Sequence, residues 1–414
     1  MVSSFQLPES MLYTPPPQTA DGDVNWVSFP PMSGSSFGPS ESFKINVSTP
    51  NELLIPQRSY LKFNLRLTGG ATTTSGSSLS SLGGASVFQS ITTELGGVQV
   101  ESLQNYNAML ATQYKRLPTT NQTLLGETEM FGKQTELTKS ANAYLYGRDV
   151  CHPLHIAILE SSDNAVPLFA VRGGLQLSFQ LETLNNVLAS AASGSTGYVV
   201  SSIEFVGCML KPSDDYLQSF IAGMSKGSVA HIPLQLTKNI RVSPGTTDSQ
   251  RSQLHTGFLR SIRSITGVCR VAASLNNPAV DANNSFTSNN LKQYYFEIGS
   301  TRYPRNKVIK ATNSTSFAAP SPENIMMAIC SLDNTFPHFN QTDITQNTDQ
   351  MVYYNWASNR GFGSGVSSED GIITFNHDYN NVGTVGSESM DFWLNYDADL
   401  RIGAAGVALD NRSF

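Results

Sequence analysis

Tyr198-Val199-Val200-Ser201-Ser202-Ile203-Glu204-Phe205-Val206-Gly207-Cys208-Met209-Leu210 reads as one long apolar strand, and Lys211-Pro212-Ser213-Asp214-Asp215 closes it. Ser213 stands where it can cap a short helix over 214–221. Its hydroxyl can accept a free N–H of the first turn, while Asp214 and Asp215 favour the positive end of the helix. Gly223 and Gly227 then release the chain, and His231-Ile232-Pro233-Leu234-Gln235-Leu236-Thr237 opens a second series of strands. About as much chain follows this joint as precedes it, which predicts two similar β-rich halves on one hinge. Pro212, Ser213, Tyr216 and Phe220 are the residues expected to form it.

A chain of 414 residues exceeds one ordinary core, so two domains are expected. Charged residues make up only 14%, with Ser, Thr, Asn and Gly abundant. That surface suits sheet faces and long turns better than helices, which carry Glu, Lys and Arg on their wet side. The net charge of −6 comes without a long basic block, which argues against nucleic acid as the ligand. No apolar run approaches the roughly 20 residues that span a bilayer, and the N-terminus has no basic-then-apolar leader. The expectation is a soluble protein that is not secreted by that route. Cys151, Cys208, Cys269 and Cys330 stand singly among apolar neighbours and read as buried free thiols.

Outward from the joint, the first half shows its strands openly. In Tyr60-Leu61-Lys62-Phe63-Asn64-Leu65-Arg66-Leu67, Leu61, Phe63, Leu65 and Leu67 fall on one face, a strict period of two. Leu175, Leu177, Phe179 and Leu181 repeat the pattern. Gly96-Gly97 between two apolar runs predicts a tight hairpin. Ser102 reads as the cap of an amphipathic helix that places Leu103, Tyr106, Met109 and Leu110 on one face. Residues 118–150 read as a polar excursion. In the second half the expected strands are 231–242, 258–271, 291–299, 324–332 and 391–404, with long loops at 272–290 and 357–389.

Residues 1–40 differ from the rest: Tyr13-Thr14-Pro15-Pro16-Pro17, Phe29-Pro30-Pro31 and Gly34-Ser35-Ser36-Phe37-Gly38-Pro39. Proline removes donors and fixes φ, so this segment is expected to stay out of the sheets and run extended over other surfaces. Tyr13, Trp26, Phe29 and Phe37, with Phe5, give such an arm groups to dock on a partner.

Several stretches, taken in order, resemble the major capsid proteins built from two jelly rolls in adenoviruses, virophages, Polinton-like viruses and tailless membrane-containing phages. They are Leu54-Ile55-Pro56-Gln57-Arg58-Ser59-Tyr60-Leu61-Lys62-Phe63-Asn64-Leu65, Gly96-Gly97-Val98-Gln99-Val100-Glu101 leading to Tyr106-Asn107, and Gly174-Leu175-Gln176-Leu177. In the second half the likeness rests on Gln293-Tyr294-Tyr295-Phe296-Glu297-Ile298-Gly299-Ser300-Thr301-Arg302-Tyr303-Pro304. The resemblance implies an all-β chain: an extended arm over 1–40, a first eight-stranded jelly roll over 41–211, a joint over 212–228 and a second roll over 229–414, with a few short helices. It further implies that three copies close into a pseudo-hexagonal homotrimer, and that trimers tile an icosahedral shell around double-stranded DNA. In such shells penton and minor capsid proteins are partners, a membrane underlies some members, and the subunit reads no nucleic-acid sequence. The chain would then reside in the virion and act as neither an enzyme nor a cofactor carrier.

Catalytic chemistry finds little support. A metal-dependent bicupin needs a His-x-His pair with a carboxylate, and the six histidines, His152, His155, His231, His255, His338 and His377, contain none. Cys151 with His152 and His155 has zinc-like spacing but lacks a second ligand pair. Gly361-Phe362-Gly363-Ser364-Gly365 lacks the lysine of a phosphate cradle. Glu369-Asp370 reads as solvated charge, with a calcium or surface-lectin role left open. Arg260, Arg263 and Arg270 are read either as partners for acidic groups across a subunit boundary or as wet-face residues of one sheet. Asn46, Asn121, Asn283, Asn313, Asn340 and Asn411 lie in Asn-x-Ser/Thr triplets expected to stay bare. A carbohydrate-binding β-sandwich of the fibre or adhesin type is the competing reading.

Overall fold

The computed structural model describes residues 22–68, 77–117, 119–133, 147–160, 165–191, 197–243, 249–271, 274–281, 283, 286, 291–312, 320–331, 351–357, 365–369, 371–379 and 388–410. The first half contributes β1 (Gly22–Phe29), β2 (Ser36–Phe37), β3 (Ser42–Val47), β4 (Leu53–Thr68), β5 (Ser77–Leu79), β6 (Phe88–Leu95), β7 (Val98–Gln104), β8 (Arg148–His152), β9 (Val166–Pro167), β10 (Leu175–Leu181), β11 (Leu188–Ala191) and β12 (Gly197–Pro212). The second contributes β13 (Ala230–Val242), β14 (Ser249–Leu254), β15 (Ile262–Val271), β16 (Leu291–Ile298), β17 (Thr301–Tyr303), β18 (Ile309–Lys310), β19 (Met351–Asn355), β20 (Ile373–Tyr379), β21 (Glu388–Gly403) and β22 (Gly406–Asp410).

Antiparallel pairing sorts the main strands of the first half into two sheets, β1-β12-β4-β8 and β3-β10-β6-β7. The second half forms β13-β21-β15-β19 and β14-β20-β16-β17. Set aside the short extras β2, β5, β9, β11, β18 and β22, and number the remaining strands of each half in chain order. Both halves then show the same two sheets, first-eighth-third-sixth and second-seventh-fourth-fifth. That double Greek-key order defines a jelly roll, and it occurs twice.

The alternation read in the sequence does the packing. Leu61, Phe63, Leu65 and Leu67 of β4 and Leu175, Leu177, Phe179 and Leu181 of β10 are buried, and their polar neighbours are half-exposed. Within one sheet of the first sandwich Phe43 stacks on Phe179 at 4.8 Å, and between its two sheets Phe63 meets Phe88 edge-on at 5.4 Å. Gly96 and Gly97 turn the β6–β7 hairpin with φ of 59° and 81°, the positive values such a turn requires.

Several expectations are corrected. The N-terminal segment does enter a sheet: β1 pairs residue for residue with β12, from Gly22 opposite Pro212 to Phe29 opposite Phe205. This stretch holds no proline, so every N–H is available. Ser102 lies in β7 and caps nothing. The helix begins at Tyr106, after Asn105 turns the chain at φ 51°, and it is buried nearly all round rather than amphipathic. Residues 322–331 form a helix where a strand was expected, because Ser321 accepts the Asn324 N–H at 3.0 Å and Pro322 sits in the first turn, where its missing N–H does no harm. Conversely β14, β19, β20 and β22 arise where no strand was read.

The two rolls are packed together rather than merely tethered. Asp391, Phe392, Trp393 and Leu394 of β21 are consecutive and all buried, so both faces of this strand are covered. Phe392 and Leu394 belong to the second roll's own core, while Trp393 and Leu400 join the apolar cluster of the first roll. Each fully buried side chain of this size contributes roughly 1.5–3 kcal/mol.

Candidate assembly surfaces

The outer face of the β1-β12-β4 sheet carries an exposed aromatic. Trp26 is 52% exposed, with Val24 beside it at 51%, and its ring lies 6.1 Å from that of Tyr60 on β4. Ser28 donates to Glu204, which also pairs with Lys62 at 3.0 Å, so a polar strip flanks the apolar one. β1 is an edge strand, which leaves one row of its backbone groups without a neighbour in the sheet. The other arm aromatics behave differently. Phe29 faces inward opposite Phe205, and Phe37 is buried against Phe43 at 5.0 Å, where no partner can reach it. Tyr13 lies outside the described residues.

Between β12 and β13 the chain forms a longer helix than the one expected over 214–221. Pro212 ends β12 and is buried; Ser213 accepts the Tyr216 N–H at 3.4 Å and starts a helix over Asp214–Ser225. Gly223 does not stop it. Gly227, at φ 93°, does: its N–H bonds the Met224 carbonyl and that of Ser228 bonds the Gly223 carbonyl, a Schellman closure. Leu217 is the helix's buried residue, and Phe220 packs edge-on against Phe169 of the first roll at 5.2 Å. Tyr216 and Ile221 face outward. The helix is thus pinned to the first roll through Phe220 and leaves Tyr216 and Ile221 exposed.

Between the rolls lies a polar seam that the sequence did not reveal. Glu101 of β7 accepts the Ala157 N–H at 2.8 Å and, across the seam, the Thr237 N–H at 2.7 Å. Burial pushes its carboxyl up to about 7, against the opposing pull of these two N–H bonds. Asp391, fully buried, pairs with Arg270 and with Arg241 at 2.8 Å, and accepts from the Asn105 side chain of the first roll at 3.1 Å. Trp393 Nε1 donates to the Gln104 carbonyl at 3.4 Å. Asp281 of the second roll accepts from Ser80 at 2.6 Å and from the Ser81 N–H at 2.9 Å. The only sequence signal for these residues was a lone charge inside an apolar run, at Val100-Glu101 and Asp391-Phe392.

Arg263 and Arg270 resolve in neither of the two expected ways, while Arg260 stays at the surface. Arg263 and Arg270 are buried in ion pairs with Asp397 and Asp391 of the same chain, and Arg260 pairs at the surface with Glu369 at 2.9 Å. Asn283 is buried and donates to the Asn186 carbonyl, so it offers no surface for a glycan.

Among the described residues no group of three or more His, Cys, Asp and Glu side chains is arranged to hold a metal ion. Both nitrogens of His152 are taken, by Glu129 at 2.8 Å and the Tyr106 hydroxyl at 3.0 Å. His231 pairs with Asp399 at the surface, and His377 is buried against Phe375. Cys208 is a buried free thiol and Cys151 a half-buried one.

No protein-family model and no curated protein sequence matches the chain. Solved structures do. A quasi-atomic model of the PBCV-1 virus capsid superposes over 97% of this chain and 99% of that one, with a TM-score of 0.60 at 13% identity. The Faustovirus major capsid protein does so over 99% and 93%, at 0.61 and 8%. The Sputnik virophage structure does so over 100% and 94%, at 0.60 and 10%. The chain has the double jelly-roll fold of these capsid proteins. At such identities the likeness is carried by strand order and by the placement of the rolls.

Proposed function

We propose that this double jelly roll is the major capsid protein of a double-stranded DNA virus. It closes as a homotrimer into a pseudo-hexagonal capsomer and tiles an icosahedral shell, with penton and minor capsid proteins completing the shell and the chain residing in the virion. The role is geometric, not catalytic. The observation that carries it is the full-length superposition on three capsid structures, both rolls and their joint together. Six similar rolls in a trimer supply six near-equivalent corners, and a closed shell multiplies individually weak contacts. The outward pair Trp26 and Val24 and the joint-helix pair Tyr216 and Ile221 are the apolar surfaces such contacts would cover.

The test is the mass of the purified full chain by light scattering, followed by negative-stain imaging. A particle of three times the 44.8 kDa chain mass with a hexagonal outline is expected. A stable monomer would overturn the capsomer and shift weight to the sugar-binding sandwich, for which Trp26 and Tyr60 would be the platform.

A further inference from the structure

A closed ring of hydrogen bonds lies inside the first roll. The Tyr106 hydroxyl accepts the His155 backbone N–H at 2.9 Å and sits 3.0 Å from His152 Nε2. His152 Nδ1 is 2.8 Å from Glu129 Oε2. The Tyr114 hydroxyl is 3.0 Å from both Glu129 oxygens and 3.3 Å from His155 Nε2, and His155 Nδ1 contacts Glu160. Tyr106, Tyr114, His152 and Glu129 are fully buried, so no water competes for these groups.

Counting hydrogens around the ring fixes its charge. With one lone pair of Tyr106 taken by the His155 N–H, its proton goes to His152 Nε2, and His152 Nδ1–H donates to Glu129. Tyr114 donates to the Glu129 carboxylate and must accept from His155 Nε2–H. His155 Nδ1 meets a second carboxylate and must also carry hydrogen. Every contact is satisfied when His155 is an imidazolium. Shifting that proton to Glu129, with Tyr114 then donating to His155, keeps the same total. Removing one proton from either form leaves one contact with no hydrogen between its atoms, whether inside the roll or at the half-exposed His155–Glu160 end.

The ring also touches the seam. Two residues beyond His155, the Ala157 N–H donates to Glu101, whose other oxygen accepts the Thr237 N–H of the second roll. We propose that the ring is a proton-dependent clasp on the seam: it closes only while it holds its extra proton, and losing that proton frees segment 155–160 and, through Ala157 and Glu101, loosens β13.

The groups that face His155 support this sense. Burial alone lowers its pKa, but the Glu160 and Glu129 carboxylates raise it above the ordinary imidazole value. Tyr106, Tyr114 and His152 complete its surroundings, and Glu101 lies behind Ala157. A raised folded value means that the clasp contributes fully below the unfolded value of about 6.5 and is lost as pH rises through the folded one. Glu101 titrates in the same sense, so its part must be separated by mutation.

Hydrogen exchange of the full chain, read by mass spectrometry between pH 6 and 9 and corrected for the intrinsic rate, tests the clasp. Protection of segments 155–160 and 230–242 is expected to fall with rising pH, about tenfold for each unit by which the His155 value is raised. In His155→Gln the fall should shrink to the part that Glu101→Gln removes. In Glu160→Gln, which changes only the half-exposed end of the ring, the midpoint should move to lower pH. Flat protection in the native chain would overturn the clasp. So would a His155→Gln profile equal to the native one, or, if that variant does not fold, an unmoved midpoint in Glu160→Gln.

Discussion

Glu101 accepts the backbone N–H of Thr237 at 2.7 Å, so a carboxylate of the first roll completes the hydrogen bonding of the second roll's outermost strand. β13 is the edge of its sheet, and an unpaired edge N–H is a hazard that proteins cover. Here the cover comes from the other roll, and it makes the seam directional: shifting the rolls would leave both the N–H and the carboxylate unpaired in the interior.

Glu101→Gln should weaken the seam by about 1–3 kcal/mol, because one amide nitrogen must face an N–H donor. The native residue also gives a pH slope. Its carboxyl is raised from 4.5 to about 7, so its contribution is full below 4.5 and falls as pH rises through 7. Urea midpoints at pH 5 and pH 8 should differ less in the variant than in the native chain.

Asp391→Ala strands Arg270 as a buried charge and should cost about 3–5 kcal/mol. Converting Asp391 and Arg270 together to apolar residues should recover much of that loss. Chemical denaturation of the single and double variants measures both, and equal losses would show that the pair's charge balance is not what matters.

His377 is stacked on Phe375 at 4.6 Å, and among the described residues neither ring nitrogen has a hydrogen-bond partner. Burial depresses its pKa to about 4, so it contributes full stability above the unfolded value near 6.5 and loses it as pH falls through 4. His377→Phe should raise the melting temperature at pH 7 and raise it further at pH 5. A smaller gain at pH 5 would reverse this account.

Trp26→Ala should leave the melting temperature of the isolated chain within a degree or two while lowering the affinity between copies more than tenfold, since an exposed tryptophan at an interface centre commonly contributes about 2 kcal/mol or more. Light scattering over a dilution series reads the second effect and thermal unfolding the first. A large loss of melting temperature with association intact would assign Trp26 to folding instead.

Ser213→Ala removes the hydroxyl that accepts the Tyr216 N–H and should cost about 1 kcal/mol. The loss should appear as faster exchange in Asp214–Ser225 and not in β12.

Strand alternation in Tyr60–Leu67 and Leu175–Leu181, the Gly96-Gly97 hairpin and the Ser213 cap were legible because each depends on neighbours within a few residues. The two-roll organisation followed from them, since the same pattern returns after the joint. Ile373-Thr374-Phe375-Asn376-His377-Asp378-Tyr379 also alternates, but its Asn- and Ser-rich surroundings read as loop. Only its pairing with β14 and β16 makes it a central strand. The run Ile325-Met326-Met327 fits a strand or a helix equally by hydrophobicity, and the capping Ser321 decides for the helix.

The sequence by itself determined strands with one dry face at Tyr60–Leu67 and Leu175–Leu181 and the tight turn at Gly96-Gly97, because hydrophobic period and turn chemistry are local. Only the tertiary structure decided that Gly22–Phe29 joins the first sheet, that Phe37 turns inward while Trp26 turns out, and that Glu101 and Asp391 meet partners more than a hundred residues away. Those outcomes depend on which surfaces remain uncovered once the sheets pair. A charge or an aromatic in the sequence does not indicate whether water or another strand will lie against it.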